Sequence, residues 1–270
     1  MSRVSESSRV AATSPWILTF RPRADARVRL FCFHHAGGGA ATFRPWASAL
    51  PDHVELCAVQ LPGRANRLRE PVVSSIPGLV EALVPVIRDW SDRPFVFFGH
   101  SMGAVLAAEV TRALMASAAP LPAHVVISSR RPVHVPSDEP TLHDLDDDAF
   151  VRETNRRYGG IPQEVIADRD VLGLLLPGLR ADMRALETYR PAQGPQLPCP
   201  VTVYGGQDDP IVPPAHLAAW EEETAGAFRL RLFPGTHFYL TAAMADVLAD
   251  LTRIVEPIAA VRPDLVVSPQ

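Results

Sequence analysis

An α/β fold with a mainly parallel sheet flanked by helices is what this sequence predicts, and three observations carry the prediction. Short strand-like runs rich in Val, Ile, Leu and Phe alternate along the chain with longer helix-compatible stretches, the pattern of repeated strand–helix–strand units. One of these junctions reads Pro94-Phe95-Val96-Phe97-Phe98, then Gly99-His100-Ser101-Met102-Gly103, then an alanine-rich segment: an apolar strand, a tight glycine turn and a helix. With 270 residues, 47% hydrophobic and 21% charged, the chain is long enough to bury one sizeable core.

Taken in order, strands are expected at Trp16–Phe20, Val28–Phe33, Val54–Val59, Pro94–Phe98, Val125–Ser128, Pro200–Tyr204 and Phe228–Phe233. Helices are expected near Thr42–Ala49, Ile76–Trp90, Met102–Ala116, Pro214–Ala225 and Phe238–Val255, the last ending before Pro257. Pro191 to Pro200 reads as a proline-rich connector back into the sheet. The alternation fails between Ser129 and Pro191, where only helical pattern is present. Leu172, Leu176, Leu179, Met183 and Leu186 recur at spacings of four and three, an amphipathic stripe that Pro177 should kink or restart. Leu142 to Phe150 resembles a capped, acidic helix start. The division expected is a core of residues 14–129 and 191–260, a helical insertion at 130–190, and flexible ends at 1–13 and 261–270.

The glycine turn points to chemistry. In G-x-S-x-G the turn is strained and the backbone passes close to its neighbours, so both glycines are needed. The strain raises the Ser101 hydroxyl at a helix N-terminus, whose dipole favours developing negative charge. A serine hydroxyl is a weak nucleophile until a base, itself oriented by an acid, removes its proton. The acid candidate follows Val201-Thr202-Val203-Tyr204 in the loop Gly205-Gly206-Gln207-Asp208-Asp209-Pro210-Ile211-Val212-Pro213. The register G-x-x-D-P-x-V-P favours Asp209 and leaves Asp208 as a turn residue; the bland alternative makes both turn residues. The base candidate is His237, in the glycine-containing loop between the last strand and the last helix. The order serine, acid, histidine is that of α/β-hydrolases.

An oxyanion hole would draw one N–H from Met102, directly after the nucleophile, and a second from the loop His34-His35-Ala36-Gly37-Gly38-Gly39, with Ala36 the specific donor. A phosphate-cradling role for this glycine loop is excluded in its G-K-[ST] form, because the chain contains no lysine. Metal binding by His34 and His35 is disfavoured: neighbouring strand residues face opposite ways, and no i,i+4 histidine or cysteine pair accompanies them.

The runs FCFHHAGGGAATFRPW, AVQLPGRANRLREP, FFGHSMGAVLAAEV, VYGGQDDPIVP and FPGTHFYL, in that order, resemble a type II thioesterase, a stand-alone α/β-hydrolase that accompanies modular polyketide and nonribosomal peptide synthases. The similarity runs from about Val28 to about Leu251. It implies hydrolysis of acyl thioesters held on the phosphopantetheine arm of an acyl or peptidyl carrier protein, with no cofactor of the enzyme's own. It carries over Ser101, Asp209 and His237 as the triad and Ala36 and Met102 as oxyanion donors. It implies that the insertion is a lid whose Leu172, Leu176, Leu179 and Met183 line an acyl channel; the alternative is ordinary helical packing on the sheet. One departure is Ser128-Ser129-Arg130-Arg131-Pro132, where a glycine is expected before the arginines. The alternative with the same triad is a generic carboxylesterase or lipase.

Composition narrows the rest. Net charge is −4, which argues against nucleic acid as a partner, and all 26 basic residues are arginine, so lysine Schiff-base chemistry is excluded. No apolar run is long enough to span a membrane, and residues 1–13 are polar and serine-rich without a secretory core. Cys32, Cys57 and Cys199 lack metal spacing; the first two read as buried thiols, consistent with a cytoplasmic protein. A monomer is expected. Arg64, Arg67 and Arg69 form a basic cluster that reads either as a docking patch for an acidic carrier or as a solvated loop with Arg64 or Arg67 paired to Glu70.

Overall fold

The computed structural model describes residues 14–136, 139–191 and 194–260. The expectations for the chain ends, 1–13 and 261–270, lie outside the described residues. In chain order the elements are β1 (Ile17–Leu18), β2 (Val28–Phe33), α1 (Arg44–Ala49), β3 (Val54–Val59), α2 (Ile76–Asp89), β4 (Phe95–His100), α3 (Met102–Ala116) and β5 (His124–Ser128). There follow α4 (Asp147–Tyr158), α5 (Gln163–Ala167), α6 (Arg169–Thr188), β6 (Val201–Gly206), α7 (Pro214–Ala218), β7 (Phe228–Phe233), α8 (Tyr239–Ala242) and α9 (Met244–Ala260).

The seven strands form one sheet in the order β1-β3-β2-β4-β5-β6-β7, parallel throughout except for antiparallel β1 at one edge. Period-two alternation sends successive side chains to opposite faces. Phe31, Phe33, Cys57, Phe95 and Phe97 face a core closed by α2 and α3. Leu30, Cys32, Leu56 and Phe98 face a second core closed by α1 and α9. Both central thiols are thus buried and free, as is Cys199. A third apolar cluster lies apart from the sheet: Phe150 and Val151 of α4 pack with Leu172, Leu176 and Met183 of α6.

Each strand-like run becomes a strand, but the details differ. The first run shrinks to two residues because Ser14 bridges back to Ile17, turning the chain there. The first expected helix begins as a 3₁₀ turn, Ala40–Phe43, before α1. The expected Pro214–Ala225 helix is α7 followed by a 3₁₀ turn at Ala219–Glu223. The last expected helix is two, α8 and α9, and Pro257 does not end α9. Proline removes one N–H from the helix ladder. Here the carbonyl released belongs to exposed Arg253, while continuing the helix keeps Val255 and Ala259 on the sheet core. Pro177 likewise fails to restart α6, which is unbroken from Arg169 to Thr188. Its i−4 partner is exposed Gly173, so the freed carbonyl faces water. The acidic start of the insertion is borne out: α4 begins at Asp147 with Asp146 as N-cap, its carboxylate accepting from the Ala149 amide at 2.9 Å.

Candidate active site

The site forms where parallel strands end, at their C-terminal edge. Strand β4 runs into α3 through Ser101, whose backbone has φ 54° and ψ −109°. That left-handed conformation is costly for a residue with a Cβ and marks stored strain. Its neighbours show why glycine flanks it. A Cβ on Gly99 would lie 2.6 Å from the Ala104 amide nitrogen, and one on Gly103 would lie 2.5 Å from the Phe33 carbonyl carbon and 2.9 Å from His34 O. The elbow is pinned by the Ser101 amide donating to Ser128 O at 2.8 Å.

Strand β6 delivers the acid and β7 the histidine. Their loops are stitched by Gln207 N–H to Phe233 O at 2.8 Å and Asp208 N–H to Gly235 O at 2.9 Å. Asp209 is buried and Asp208 exposed, which settles their geometry in favour of the first. His237 donates from Nδ1 to Asp209 Oδ2 at 2.9 Å, and its Nε2 lies 3.1 Å from Ser101 Oγ. A carboxylate accepts, so Nδ1 carries the proton and Nε2 is free to receive the serine proton. Asp209 Oδ1 accepts from the Ile211 amide at 2.9 Å and the Val212 amide at 3.3 Å. Burial alone would raise the Asp209 carboxyl. The hydrogen bond and charge of His237, with those two amides, outweigh it and hold the group below the usual carboxylate range.

Behind His237 lies a buried polar chain in which His100 Nδ1 meets Ser128 Oγ at 2.8 Å and Ser128 Oγ meets Tyr239 OH at 2.7 Å. Burial, and then the unfavourable coupling a charged His100 would have with the neighbouring His237 and His35 rings, pushes His100 well below the ordinary histidine value, so it stays neutral. His35 is pushed down to about 4, first by burial and then by His237 and Arg64.

The loop after β2 completes the rim. The His35 carbonyl accepts from the Gly38 amide at 3.0 Å and from His34 Nδ1 at 2.7 Å. Because a trans peptide sets N–H opposite C=O, those two bonds also fix the direction of the Ala36 N–H. Ala36 and Ser101 line one cavity of about 170 Å³. Met102 is the first residue of α3, whose leading amides have no partner within the helix. Leu172, Leu176, Leu179 and Met183 all line the same cavity, so the stripe read from the sequence faces Ser101.

Four features were not read from the sequence. Tyr158 and Phe238 pack on the His237 ring at centroid distances of 5.5 and 5.3 Å. Gly160 leaves room for Phe238: a Cβ there would sit 2.6 Å from the Phe238 ring. The fourth is the pairing of Arg64 with Asp182; of the two readings of the arginine cluster, the one that pairs Arg67 with Glu70 is borne out, with Arg67 buried rather than solvated. Arg67 is buried, paired with Glu70 and stacked on Trp16 at 4.0 Å, and buried Arg64 pairs with Asp182 on α6; only Arg69 is exposed. Asp182 had a signal, since it falls on the apolar stripe three residues after Leu179 and four before Leu186. Among the described residues no group of three or more His, Cys, Asp or Glu side chains is arranged to hold a metal ion, and no helix is long and apolar enough to cross a membrane.

A serine on a strained strand-to-helix turn, linked through histidine to a carboxylate at the edge of a parallel sheet, defines the fold and site as those of an α/β hydrolase. The family model for the thioesterase domain matches residues 28–257, and the chain belongs to the thioesterase family. It is 36% identical to linear gramicidin dehydrogenase LgrE of Brevibacillus parabrevis, over 87% of this chain and 90% of the relative. It is 37% identical to thioesterase PikA5 of Streptomyces venezuelae, over 88% of this chain and 84% of the relative. The structure of the type II thioesterase BorB from the borrelidin biosynthetic cluster superposes with a TM-score of 0.82 at 36% identity, covering 90% of this chain and 99% of that one. The chain is a thioester hydrolase of natural-product biosynthesis.

Proposed function

We propose that this enzyme hydrolyses acyl groups from the phosphopantetheine thiol of an acyl or peptidyl carrier protein through an acyl-serine at Ser101. The supporting observation is the relay from Asp209 through His237 to Ser101 at the wall of a cavity lined by the apolar face of α6. His237 Nε2 takes the Ser101 proton as Oγ attacks the thioester carbonyl, and Asp209 stabilises the imidazolium. The carbonyl oxygen gains charge and is held by the Met102 and Ala36 amides. The C–S bond then breaks, and the proton on His237 passes to the departing sulfur. Water enters, His237 takes one of its protons as the oxygen attacks the acyl-serine, the acyl–Oγ bond breaks, and His237 returns that proton to Ser101 Oγ as the acid leaves. The helices between β5 and β6 act as a lid that roofs the acyl group and excludes water until deacylation.

The name of LgrE describes a redox enzyme. In this chain the first glycine loop reads Gly37-Gly38-Gly39-Ala40-Ala41-Thr42, without the third glycine of a dinucleotide-binding turn. The test uses acyl-loaded carrier protein. Ser101→Ala should abolish acid release, and rapid quenching of the native enzyme should trap an acyl adduct on Ser101 alone. Turnover of the matched oxoester equal to that of the acyl-pantetheine thioester would favour a carboxylesterase; retained hydrolysis in the variant would overturn the nucleophile assignment.

A further inference from the structure

Asp182 is the least expected residue on the buried face of α6. It is a carboxylate with no exposed surface, on the face of α6 that is otherwise apolar. Burying a charge is costly unless it is paired and fully hydrogen-bonded. Asp182 is both. Oδ1 accepts from Arg64 Nη2 at 2.8 Å, and Oδ2 accepts from Arg64 Nη1 at 2.6 Å and from the Gly37 amide at 2.8 Å. Arg64 Nη1 also donates to Gly38 O at 3.1 Å. One ion pair therefore holds both Gly37 and Gly38, directly after Ala36. The contact is close: a Cβ on Gly37, whose φ is +74°, would lie 2.7 Å from Leu179 Cδ1 of the same helix.

We infer that Asp182 and Arg64 are positioning residues for the oxyanion loop, through which α6 sets the direction of the Ala36 amide. The inference rests on the oxyanion role proposed for Ala36. The physical reason is that this loop has few restraints of its own. The 35–38 turn is closed by one backbone hydrogen bond, and Gly37, Gly38 and Gly39 give three successive flexible joints. His34 fixes the peptide entering Ala36, and the Asp182–Arg64 pair fixes the peptide leaving it. With both ends held, the amide is set before substrate arrives, the condition under which an oxyanion donor lowers a barrier. The pair also ties α6 to the loop after β2.

The test compares Asp182→Asn, Arg64→Lys and the double variant Arg64→Met/Asp182→Leu with native enzyme. The double variant removes both charges at once and so avoids a stranded buried arginine, the main threat to folding of the single variants. Loss of one oxyanion donor costs about 10²–10³ in kcat. A donor misdirected rather than removed should cost roughly tenfold to a hundredfold. The expected result is that loss in kcat with KM and the pH profile unchanged. A boronic acid that forms a tetrahedral adduct on Ser101 should weaken by the same factor, a readout that a purely structural role would not move. Native kcat in any folded variant overturns the inference, as does a kcat loss with boronate affinity unchanged. Ser101→Ala is run beside them. If it stays active, the hydrolytic reading itself fails; if it is dead while the double variant is fully active, only the positioning role fails.

Discussion

Replacing Gly103 with alanine adds a single methyl group, and the structure predicts that it damages both stability and turnover. The new Cβ would sit 2.5 Å from the carbonyl carbon of Phe33, whereas non-bonded carbons rest about 3.5–4.0 Å apart. The obstacle is the backbone of β2 and cannot rotate away, so α3 must move by about 1 Å relative to the strand end. Such overpacking costs about 1–3 kcal/mol. At roughly 2–4 °C per kcal/mol for a chain of this size, Tm should fall by several degrees. The same shift separates the Met102 amide, on α3, from the Ala36 amide, on the loop after β2. A misplacement of about 1 Å costs on the order of 10²-fold in rate. Gly173→Ala is the internal control. Beyond its chain neighbours and the backbone of its own helix no atom lies within 4 Å of its Cβ position, and the residue is in the body of α6. It should stabilise the fold by about 0.5–1 kcal/mol. Thermal unfolding by circular dichroism and kcat on acyl-pantetheine measure both effects. Native Tm and native kcat in Gly103→Ala would refute the reasoning.

Asp209→Asn should lower kcat by about 10⁴, the cost of losing the acid that fixes the histidine tautomer, whereas exposed Asp208→Asn should cost little; steady-state kinetics of the pair decides it, and the reverse order would exchange the assignments. Leu176→Phe should shift preference towards short acyl chains, each excluded methylene costing about 0.8 kcal/mol, or roughly fourfold in kcat/KM, while acetyl substrates are spared; a uniform loss from acetyl to decanoyl would indicate damage elsewhere. Acidification should destabilise the fold through Asp209 and Asp250. Burial pushes both carboxyls up, but His237 in one case and Arg229 with Tyr204 in the other hold them below the ordinary value. A folded pKa below the unfolded one gives stability that is complete above the unfolded value of about 4 and is lost as pH falls through the folded one. Asp250→Asn should flatten the fall of Tm below about pH 4, and an unchanged slope would count against the linkage.

Much of the site was legible because short-range chemistry encodes it. The elbow needs two glycines around a serine, and the acid and base loops each follow a strand-like run, so local pattern alone placed Ser101, Asp209 and His237 on the correct edge of the sheet. The stripe from Leu172 to Met183 was legible for the same reason: helical spacing puts those residues on one face, and that face lines the cavity. Helix ends were less legible. Pro177 and Pro257 are local stop signals, yet both helices continue, because the freed carbonyls are exposed and the buried faces gain by continuing.

The tertiary structure decided which of the charges turn inward. Arg64, Arg67 and Arg69 form a run of like charges in the sequence and read equally as a surface patch. The fold turns two of them inward, one to Asp182, 118 positions away, and one to Glu70 and Trp16. It also buries Asp209 against His237 and leaves Asp208 exposed, in agreement with the register that favoured Asp209. Composition and periodicity act over a few residues and determine which elements form and which face is apolar. Burial of an ion pair depends on where distant elements meet, and only the packed chain sets that.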